Sequence, residues 1–373
     1  MTQARPGGEP SAGSAPAHDQ GQHADHLMLI DTAVRSSTAD RVDAIVVPTA
    51  RPAAELGTAI ALAGELDAHL LVLCSRRATA AAARAEASGS GVRLTAIDVR
   101  PRLSPAGPAT SASLAGTPFA RDSDTSLKRN LALSVAHLAG WRKTLFMDDD
   151  VTRVPAAEVS AAAALLDTYD AVGLRNTGFP DNSVVCHANR DTKAEQSSFV
   201  GAGGLLVHTG RMRSFFPDVY NEDWFFLLGD ERLVPVALSG TFHQRTFDPY
   251  ADADRARQEE FGDCLAEGIY SLLDEGGRIS DADAAFWRGF LVRRAQLIDR
   301  IARRLALLPA DRVPRVAAAL HASRATLARI TPDHCVRFVQ AWRDDRAAWR
   351  DHLDGLPSGV GVAQALHMLH LPA

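Results

Sequence analysis

The stretch Thr144-Leu145-Phe146-Met147-Asp148-Asp149-Asp150 joins a short, mostly apolar run to three consecutive acidic residues. A short apolar run bounded by polar residues predicts a buried strand. In an α/β protein, acids at its carboxyl end would lie at the sheet edge where ligands bind. Adjacent carboxylates repel one another unless a cation or a hydrogen-bond donor compensates them, and a divalent metal is the simplest such cation. The alternative is an acidic turn in which Asp150 or Thr152 caps a helix starting near Pro155.

The sequence before this stretch alternates between strand and helix patterns. Five elements are predicted there, namely strands at 44–47, 69–74 and 92–99 and helices at 53–66 and 78–87. A helix at 125–139 precedes the acidic strand, and a further strand is predicted at 170–174. Strand-helix-strand units at this spacing are typical of a parallel, doubly wound sheet. The predicted fold class is therefore α/β, with a Rossmann-like, mostly parallel sheet.

Composition and pattern divide the chain into three parts. Residues 1–40 are predicted to be a disordered tail, because the first two dozen are Gly, Pro, Ala, Ser and His without periodicity. Residues 41–275 form the predicted catalytic domain, which includes a long pattern-free stretch at 100–124 and an irregular middle at 175–249. Residues 276–373 predict an all-helical extension. Its apolar positions repeat at helical spacing, which favours packing on the catalytic domain or on a second copy in a homodimer.

The overall composition is that of an ordinary soluble protein. The 373 residues are 46 % hydrophobic and 23 % charged with a net charge of -5, so nothing indicates a nucleic-acid partner. No signal peptide or stretch of membrane-spanning length is visible, which predicts a cytoplasmic protein. The four cysteines lack metal-site spacing and are predicted to be buried and reduced: Cys74, Cys186, Cys264 and Cys335.

Six short segments carry a resemblance to a known family. In chain order they are Val46-Val47-Pro48-Thr49, Ser126-Leu127-Lys128-Arg129-Asn130-Leu131-Ala132, Leu145-Phe146-Met147-Asp148-Asp149-Asp150, Phe199-Val200-Gly201-Ala202-Gly203-Gly204, Arg211-Met212-Arg213 and Asn221-Glu222-Asp223-Trp224. Together they resemble the nucleotide-sugar-dependent glycosyltransferases of the GT-A fold, especially the family 2 group. The acidic strand is similar to the one that ends in that family's DxD motif. The resemblance covers roughly residues 43–274.

The resemblance implies a hexosyltransferase-type enzyme with a GT-A catalytic domain. It would transfer a sugar from a nucleotide-diphosphate sugar to a hydroxyl of a small molecule or glycan. The resemblance implies that Asp150 and His243 bind Mn²⁺ or Mg²⁺, and that Asp148 contacts the ribose or a metal-bound water. It implies Asp223 as the general base, with Glu222 orienting that base or binding the acceptor. The alternatives are a hydrogen-bonded loop histidine at 243 and, for the two acids, a charged first turn of a short helix.

The remaining nucleotide-sugar-binding residues follow from the same resemblance. They are Pro48, Thr49, Arg51, Arg129, Asn130, Asp149, Gly203 and Gly204. Arg129 would reach the diphosphate, whereas Asn130 would fix a loop or the sugar. The alternative for Arg129 is an exposed helical arginine, and for the glycines a strand bulge.

The sequence also departs from the family and admits other functions. Cys74-Ser75-Arg76 stands where family members usually carry the acid that recognises the base. No QxxRW-type segment follows Asp223, so a single-addition enzyme is favoured over a polymerising one. The run from Asp148 to Thr152 also fits the DxDx(T/V) pattern of haloacid-dehalogenase-type phosphatases, for which only Lys193 could serve as the downstream lysine. A third candidate is a nucleotide-sugar-binding protein without catalysis.

Overall fold

The computed structural model of the protein describes residues 26–100, 108–180, 183–194 and 197–371. The strands within these ranges are β1 (Ala44–Thr49), β2 (His69–Cys74), β3 (Leu94–Asp98), β4 (Lys143–Met147), β5 (Val151–Arg153), β6 (Ala171–Asn176), β7 (Gly204–His208) and β8 (Val236–Gln244). The α-helices are α1 (Gly57–Glu65), α2 (Ala80–Glu86), α3 (Ala109–Leu114), α4 (Thr125–Ala139), α5 (Ala156–Leu165), α6 (Val184–Asp191), α7 (Glu222–Phe226), α8 (Ala253–Asp274), α9 (Ala284–Arg303), α10 (Val313–Leu327), α11 (Pro332–Asp354) and α12 (Val362–Met368).

The strands form one sheet in the order β3-β2-β1-β4-β7-β6-β8-β5. The pairs β2/β3, β1/β2, β1/β4 and β6/β8 are parallel, whereas β7 runs antiparallel between β4 and β6, and β5 antiparallel to β8. The carboxyl ends of β1, β4, β6 and β8 therefore lie at the same edge as the amino end of β7. With helices on both faces and after the sheet, the predicted α/β fold class is confirmed.

Both faces of the sheet are covered, which explains the continuous apolar runs of its strands. Along β1, Ile45 and Val47 pack in one hydrophobic cluster and Val46 in the other. The first cluster includes residues of α1, α2 and α5. The second includes residues of α4 and of the C-terminal helices. Alternation along the strand thus decides which side chains meet which helical layer.

The helices after residue 275 share this second core. Trp287 of α9 is fully buried, and a Cβ built on Gly268 of α8 would lie 2.3 Å from its ring, so only glycine permits this close approach. Seven apolar positions of α9 repeat at helical spacing. Phe286 and Leu291 are partly buried against the chain's own core, and five are buried within it: Trp287, Phe290, Leu297, Ile298 and Ile301. They pack on the α/β part of the same chain and give no support to a homodimer. In the described ranges, no helix combines the length and apolarity needed to cross a membrane.

The N-terminal region and the pattern-free stretch differ from expectation. Residues 1–25 lie outside the described residues, but 26–40 do not form the predicted tail, because Asp31 forms an isolated bridge to Ala237. In the predicted loop at 100–124, residues 101–107 lie outside the described residues, and α3 follows them. The α3 amino end is held by Asp345 of α11, which accepts hydrogen bonds from the N–H groups of Ala109 and Thr110. A partner so distant in sequence leaves no local signal.

Two strands were missed in the region predicted to be irregular, β7 and β8. Gly240 in β8 has a φ of 88°, and the β6/β8 register shifts between Gly173 and Arg175. This irregularity breaks the period-two pattern that indicates a strand. The four cysteines, in contrast, are buried and free of disulfides as predicted.

Candidate active site

Most of the predicted site residues gather at the sheet edge where the parallel strands end. Thr49 closes β1, the acids follow β4, and Gly204 opens β7 in register with Met147. Asp148 and Gly203 are joined by a backbone hydrogen bond of 3.2 Å from N–H to carbonyl. The edge of a sheet where parallel strands end is the general location of ligand sites in α/β proteins.

The three acids form a turn between β4 and β5. The Val151 N–H donates to the Asp148 carbonyl at 3.3 Å, and β5 then pairs with β8. Helix α5 begins after Pro155, which makes no capping hydrogen bond, and the described side-chain hydrogen bonds of Asp150 and Thr152 go to Gln244 and to the His243 carbonyl instead. The helix-cap interpretation of the acidic triplet is therefore wrong.

Two of these acids share an arginine. Asp149 is buried and accepts a hydrogen bond from the Thr49 hydroxyl at 2.6 Å, and Arg51 donates to its other oxygen. The second terminal nitrogen of Arg51 lies 3.1 Å from Asp150 Oδ2, while Gln244 Nε2 donates to Asp150 Oδ1 at 2.7 Å. The Arg51 guanidinium thus supplies the positive charge that adjacent carboxylates require.

Arg129 connects the acidic turn to the predicted Glu-Asp pair. It is only 4 % exposed, and its two terminal nitrogens lie 3.0 Å from Asp148 Oδ1 and 2.7 Å from Glu222 Oε1. The alternative of an exposed helical arginine is therefore wrong. Burial raises the pKa of Asp148 above its ordinary value, and the charge of Arg129 opposes that rise.

The Asp223 carboxylate is oriented by two backbone donors. Its Oδ2 accepts the Ala202 N–H at 2.9 Å and its Oδ1 accepts the Trp224 N–H at 3.0 Å. Burial, followed by the neighbouring charge of Glu222, raises the pKa of Asp223 to about 6. The glycine-rich segment therefore touches both acids, because Ala202 contacts Asp223 and Gly203 contacts Asp148. A Cβ on Gly203 would lie 3.0 Å from Asp148 Oδ2, so the absence of a side chain lets the Asp148 carboxylate approach this segment closely.

The structure does not bring His243 to the acids. In β8 its neighbours Phe242 and Gln244 are buried whereas His243 is exposed, with its Nδ1 3.4 Å from the Thr177 hydroxyl. Successive strand residues point to opposite faces. Gln244, one residue later, contacts Asp150 instead and was missed by sequence reasoning. Among the described residues, the only group of three His, Cys, Asp or Glu ligand atoms within 4.8 Å of one another is Cys186, Asp263 and Glu267.

Three predicted residues serve the scaffold of the site. The Asn130 amide donates to the Phe216 carbonyl and accepts its N–H, both at 2.8 Å, so it fixes the loop before the Glu-Asp pair. Pro48 lies within β1 beside Leu73 of β2. Gly204 allows the close approach of Phe242, whose ring would lie 2.7 Å from an added Cβ.

Three charged residues near the site were not among the predicted site residues. Lys128 is buried and donates to the Thr49 carbonyl at 2.9 Å and to the Ser75 hydroxyl at 2.6 Å. Arg121 lies 3.7 Å from Glu222 Oε2. Burial raises the pKa of Asp218 to about 6, and the charge of Arg121 opposes that rise. Lys128 adjoins the predicted Arg-Asn pair, but no local signal singles out Arg121 or Asp218.

The acidic turn suits a hard divalent cation. Carboxylate oxygens are the preferred ligands of Mg²⁺ and Mn²⁺, and Asp148 and Asp150 offer them at one edge of the sheet. Asp150 Oδ2 faces only the Arg51 guanidinium among its described ion pairs, and the Arg51 side chain is 47 % exposed. A partly exposed arginine can turn toward solvent without losing much buried area. Two carboxylates completed by water are donors of the type that Mg²⁺ and Mn²⁺ accept, so the acidic turn is chemically compatible with such an ion without His243.

Comparisons with known proteins give matches among solved structures only. No protein-family model matches the chain, and no curated protein sequence does either. The chain is similar to glucosyl-3-phosphoglycerate synthase from Mycobacterium tuberculosis, a structure with Mn²⁺, uridine diphosphate and phosphoglyceric acid. The identity is 17 % and the TM-score 0.37, over 60 % of this chain and 80 % of that one. A second match, a mycobacterial protein, has 16 % identity and a TM-score of 0.37 over 61 % of this chain and 73 % of that one.

Proposed function

We propose that the protein is a metal-assisted, non-processive glycosyltransferase that uses a nucleotide-diphosphate sugar and Asp223 as general base. The observation that carries this proposal is the junction of the two acidic groups. Arg129 bridges Asp148 and Glu222, and the segment at Ala202 contacts Asp223 while its neighbour contacts Asp148. One site thus combines a cation-binding turn with a separate carboxylate suited to remove a proton.

With a metal ion bound, the acidic turn is suited to hold a diphosphate leaving group. Bound at Asp150 with Asp148 beside it, Mn²⁺ or Mg²⁺ would supply positive charge to the diphosphate as its bond to the sugar breaks. The Arg51 side chain, partly exposed beside both Asp149 and Asp150, is placed to bind phosphate oxygens through its planar fork. Both terminal nitrogens of Arg129 donate to carboxylates, so its role in this proposal is to hold those carboxylates in place.

Asp223 is suited to accept the proton of an acceptor hydroxyl. With its pKa raised to about 6, it is mostly ionised at neutral pH and is a stronger base than an ordinary carboxylate. Its two backbone donors fix the direction of its lone pairs. Glu222, held by Arg129, would orient the acceptor or the base.

The phosphatase alternative is less consistent with the geometry. Its nucleophile, Asp148, has one oxygen paired with the buried Arg129. Lys193 is exposed and follows α6. A binding protein without catalysis would not need the raised pKa of Asp223. It therefore predicts nucleotide-sugar binding without any turnover, with or without this carboxylate.

A panel of donors separates these functions. The protein is incubated with Mn²⁺ and uridine, guanosine or adenosine diphosphate sugars, and nucleotide release is measured. Slow donor hydrolysis supports the transferase. Phosphate release from simple phosphoesters would support the phosphatase. Nucleotide-sugar binding without turnover would support a binding protein without catalysis.

Two variants then test the assigned residues, with Asp299→Asn on the exposed side of α9 as a matched control. Asp150→Ala is expected to weaken Mn²⁺-dependent donor binding, and unchanged binding would refute the metal assignment. Asp223→Asn is expected to keep donor binding but to slow transfer by about 10²- to 10⁴-fold. Full transfer by that variant would exclude Asp223 as the base.

A further inference from the structure

One buried ionisable side chain takes no part in the proposed chemistry. His26 is 1 % exposed and lies between two carboxylates of α8. Its Nδ1 is 2.5 Å from Asp274 Oδ2, and its Nε2 is 3.1 Å from Glu267 Oε2. Since both ring nitrogens face carboxylates, both can donate only when the ring is an imidazolium.

Three aromatic rings complete the surroundings of His26. The centroids of Phe199, Trp224 and Tyr270 lie 6.3, 5.4 and 5.5 Å from the His26 ring centroid, each in an edge-on arrangement. Tyr270 also donates its hydroxyl to the Trp224 carbonyl at 2.9 Å. His26 is thus packed against Phe199 and Trp224, which belong to two separate segments of the chain.

These two segments are the ones that hold the Asp223 carboxylate. Trp224 donates its N–H to Asp223 Oδ1, and Ala202, three residues after Phe199, donates to Oδ2. A shift of either ring would therefore move a donor of the proposed base. His26 itself bonds no reacting group, so any effect on catalysis would act through Phe199 and Trp224.

The chain beyond His26 is anchored at a second point. The Asp31 N–H donates to the Val236 carbonyl at 3.1 Å, and the Asp31 carbonyl accepts the Leu238 N–H at 2.8 Å. The Tyr169 hydroxyl donates to the Asp31 carboxylate at 2.6 Å. His26 adopts a φ of 53°, a left-handed conformation that non-glycine residues keep when their surroundings hold it.

We propose that residues 26–31, the N-terminal latch, position the Asp223 carboxylate, and that His26 fastens the latch as a cation between Glu267 and Asp274. His26 is a positioning residue, and only the catalytic part of this proposal rests on the proposed function. Burial alone would lower the pKa of His26, but the hydrogen bonds and charges of Asp274 and Glu267 outweigh it and raise the pKa to about 9. Among the described residues, Tyr270 is the other ionisable side chain that contacts the His26 ring.

The test compares His26→Gln and His26→Gly in the full chain, with His321→Gln on the exposed side of α10 as control. Transfer by both His26 variants is expected to fall in kcat by on the order of ten-fold or more, because a misplaced base loses its alignment. Nucleoside diphosphate affinity should stay within about two-fold, since the acidic turn does not touch the latch. Imidazole should restore part of the activity of His26→Gly by refilling the site, whereas pyrrole, which cannot bridge two carboxylates, should not.

Hydrogen exchange provides a readout that is independent of turnover. Protection of the segments at 199–204 and 222–226 is expected to fall in the His26 variants and to return with imidazole in His26→Gly. Unchanged kcat together with unchanged protection would overturn the proposal. If the wild-type protein transfers no sugar, the proposed function fails. Hydrogen exchange still tests whether the latch orders the two segments. If His26→Gly does not fold, hydrogen exchange of the wild-type protein is compared below and above about pH 9, where His26 loses its charge. Protection of the same two segments that does not fall across this range refutes the latch.

Discussion

Removal of the Arg129 side-chain charge should destabilise the protein more than any surface substitution. Arg129→Met keeps the length of the side chain but breaks ion pairs of 3.0 Å to Asp148 and 2.7 Å to Glu222. Both carboxylates then lose their buried counter-charge. Breaking a buried ion pair from one side costs about 3–5 kcal/mol, mainly because the remaining charge is left unpaired. We expect a loss of unfolding free energy in this range.

The contribution of each carboxylate follows from a second substitution. Adding Glu222→Gln to Arg129→Met removes one of the two carboxylate charges that Arg129 compensated, so stability should recover by at least about 1 kcal/mol. In wild-type protein, Glu222→Gln alone should be destabilising, because it removes a partner from Arg129. This opposite sign in the two backgrounds distinguishes an electrostatic bridge from simple loss of packing.

The assay is urea unfolding at pH 7, followed by tryptophan fluorescence and extrapolated linearly to water. Arg303→Met, an exposed position near the end of α9, is the matched control and should change stability by less than about 0.5 kcal/mol. An Arg129→Met protein within about 1 kcal/mol of wild type would refute the bridge. The bridge would also be refuted if the double variant, Arg129→Met with Glu222→Gln, were no more stable than Arg129→Met alone.

Three further predictions concern titration and metal binding. Because the pKa of Asp223 is raised to about 6, kcat/KM for transfer should increase with pH through that value and then level off. Glu222→Gln should move the midpoint of this profile to lower pH, because the Glu222 charge contributes to the rise. A flat profile from pH 5 to about 8 would contradict the assignment of Asp223 as the base. Because the pKa of His26 rises from 6.5 to about 9 on folding, its stabilisation of about 3 kcal/mol is complete below pH 6.5 and is lost as pH rises through 9. Unfolding free energies of wild type and His26→Gln should therefore converge at high pH, and a constant difference would exclude this linkage. Arg51→Met should strengthen Mn²⁺ binding in the absence of nucleotide by on the order of ten-fold, because it removes a positive charge beside Asp150. Binding is measured by electron paramagnetic resonance. Unchanged or weaker binding would show that Arg51 does not compete with the metal.

Local patterns in the sequence determined the parts of the structure whose causes are local. The apolar run before the acids predicted β4, and the alternation before it predicted β1 to β3 with α1 and α2. The position of Asp148 to Asp150 at the carboxyl edge follows from the direction of one strand. The breaks in the C-terminal helices follow from glycine and proline, as at Pro332, which opens α11. Each of these features depends on residues within one element.

The tertiary structure decided which side chains meet, because those contacts join residues far apart in the chain. Arg129 and Glu222 are 93 residues apart, and His26 and Asp274 are 248 apart. The choice of Gln244 over His243 beside Asp150 depends on the register of β8, where a shift of one residue exchanges the faces. The raised pKa of Asp223 depends on burial, which no pattern of residue types supplies. The sequence therefore placed the acids at one edge, and packing across the whole chain decided their partners and their charge.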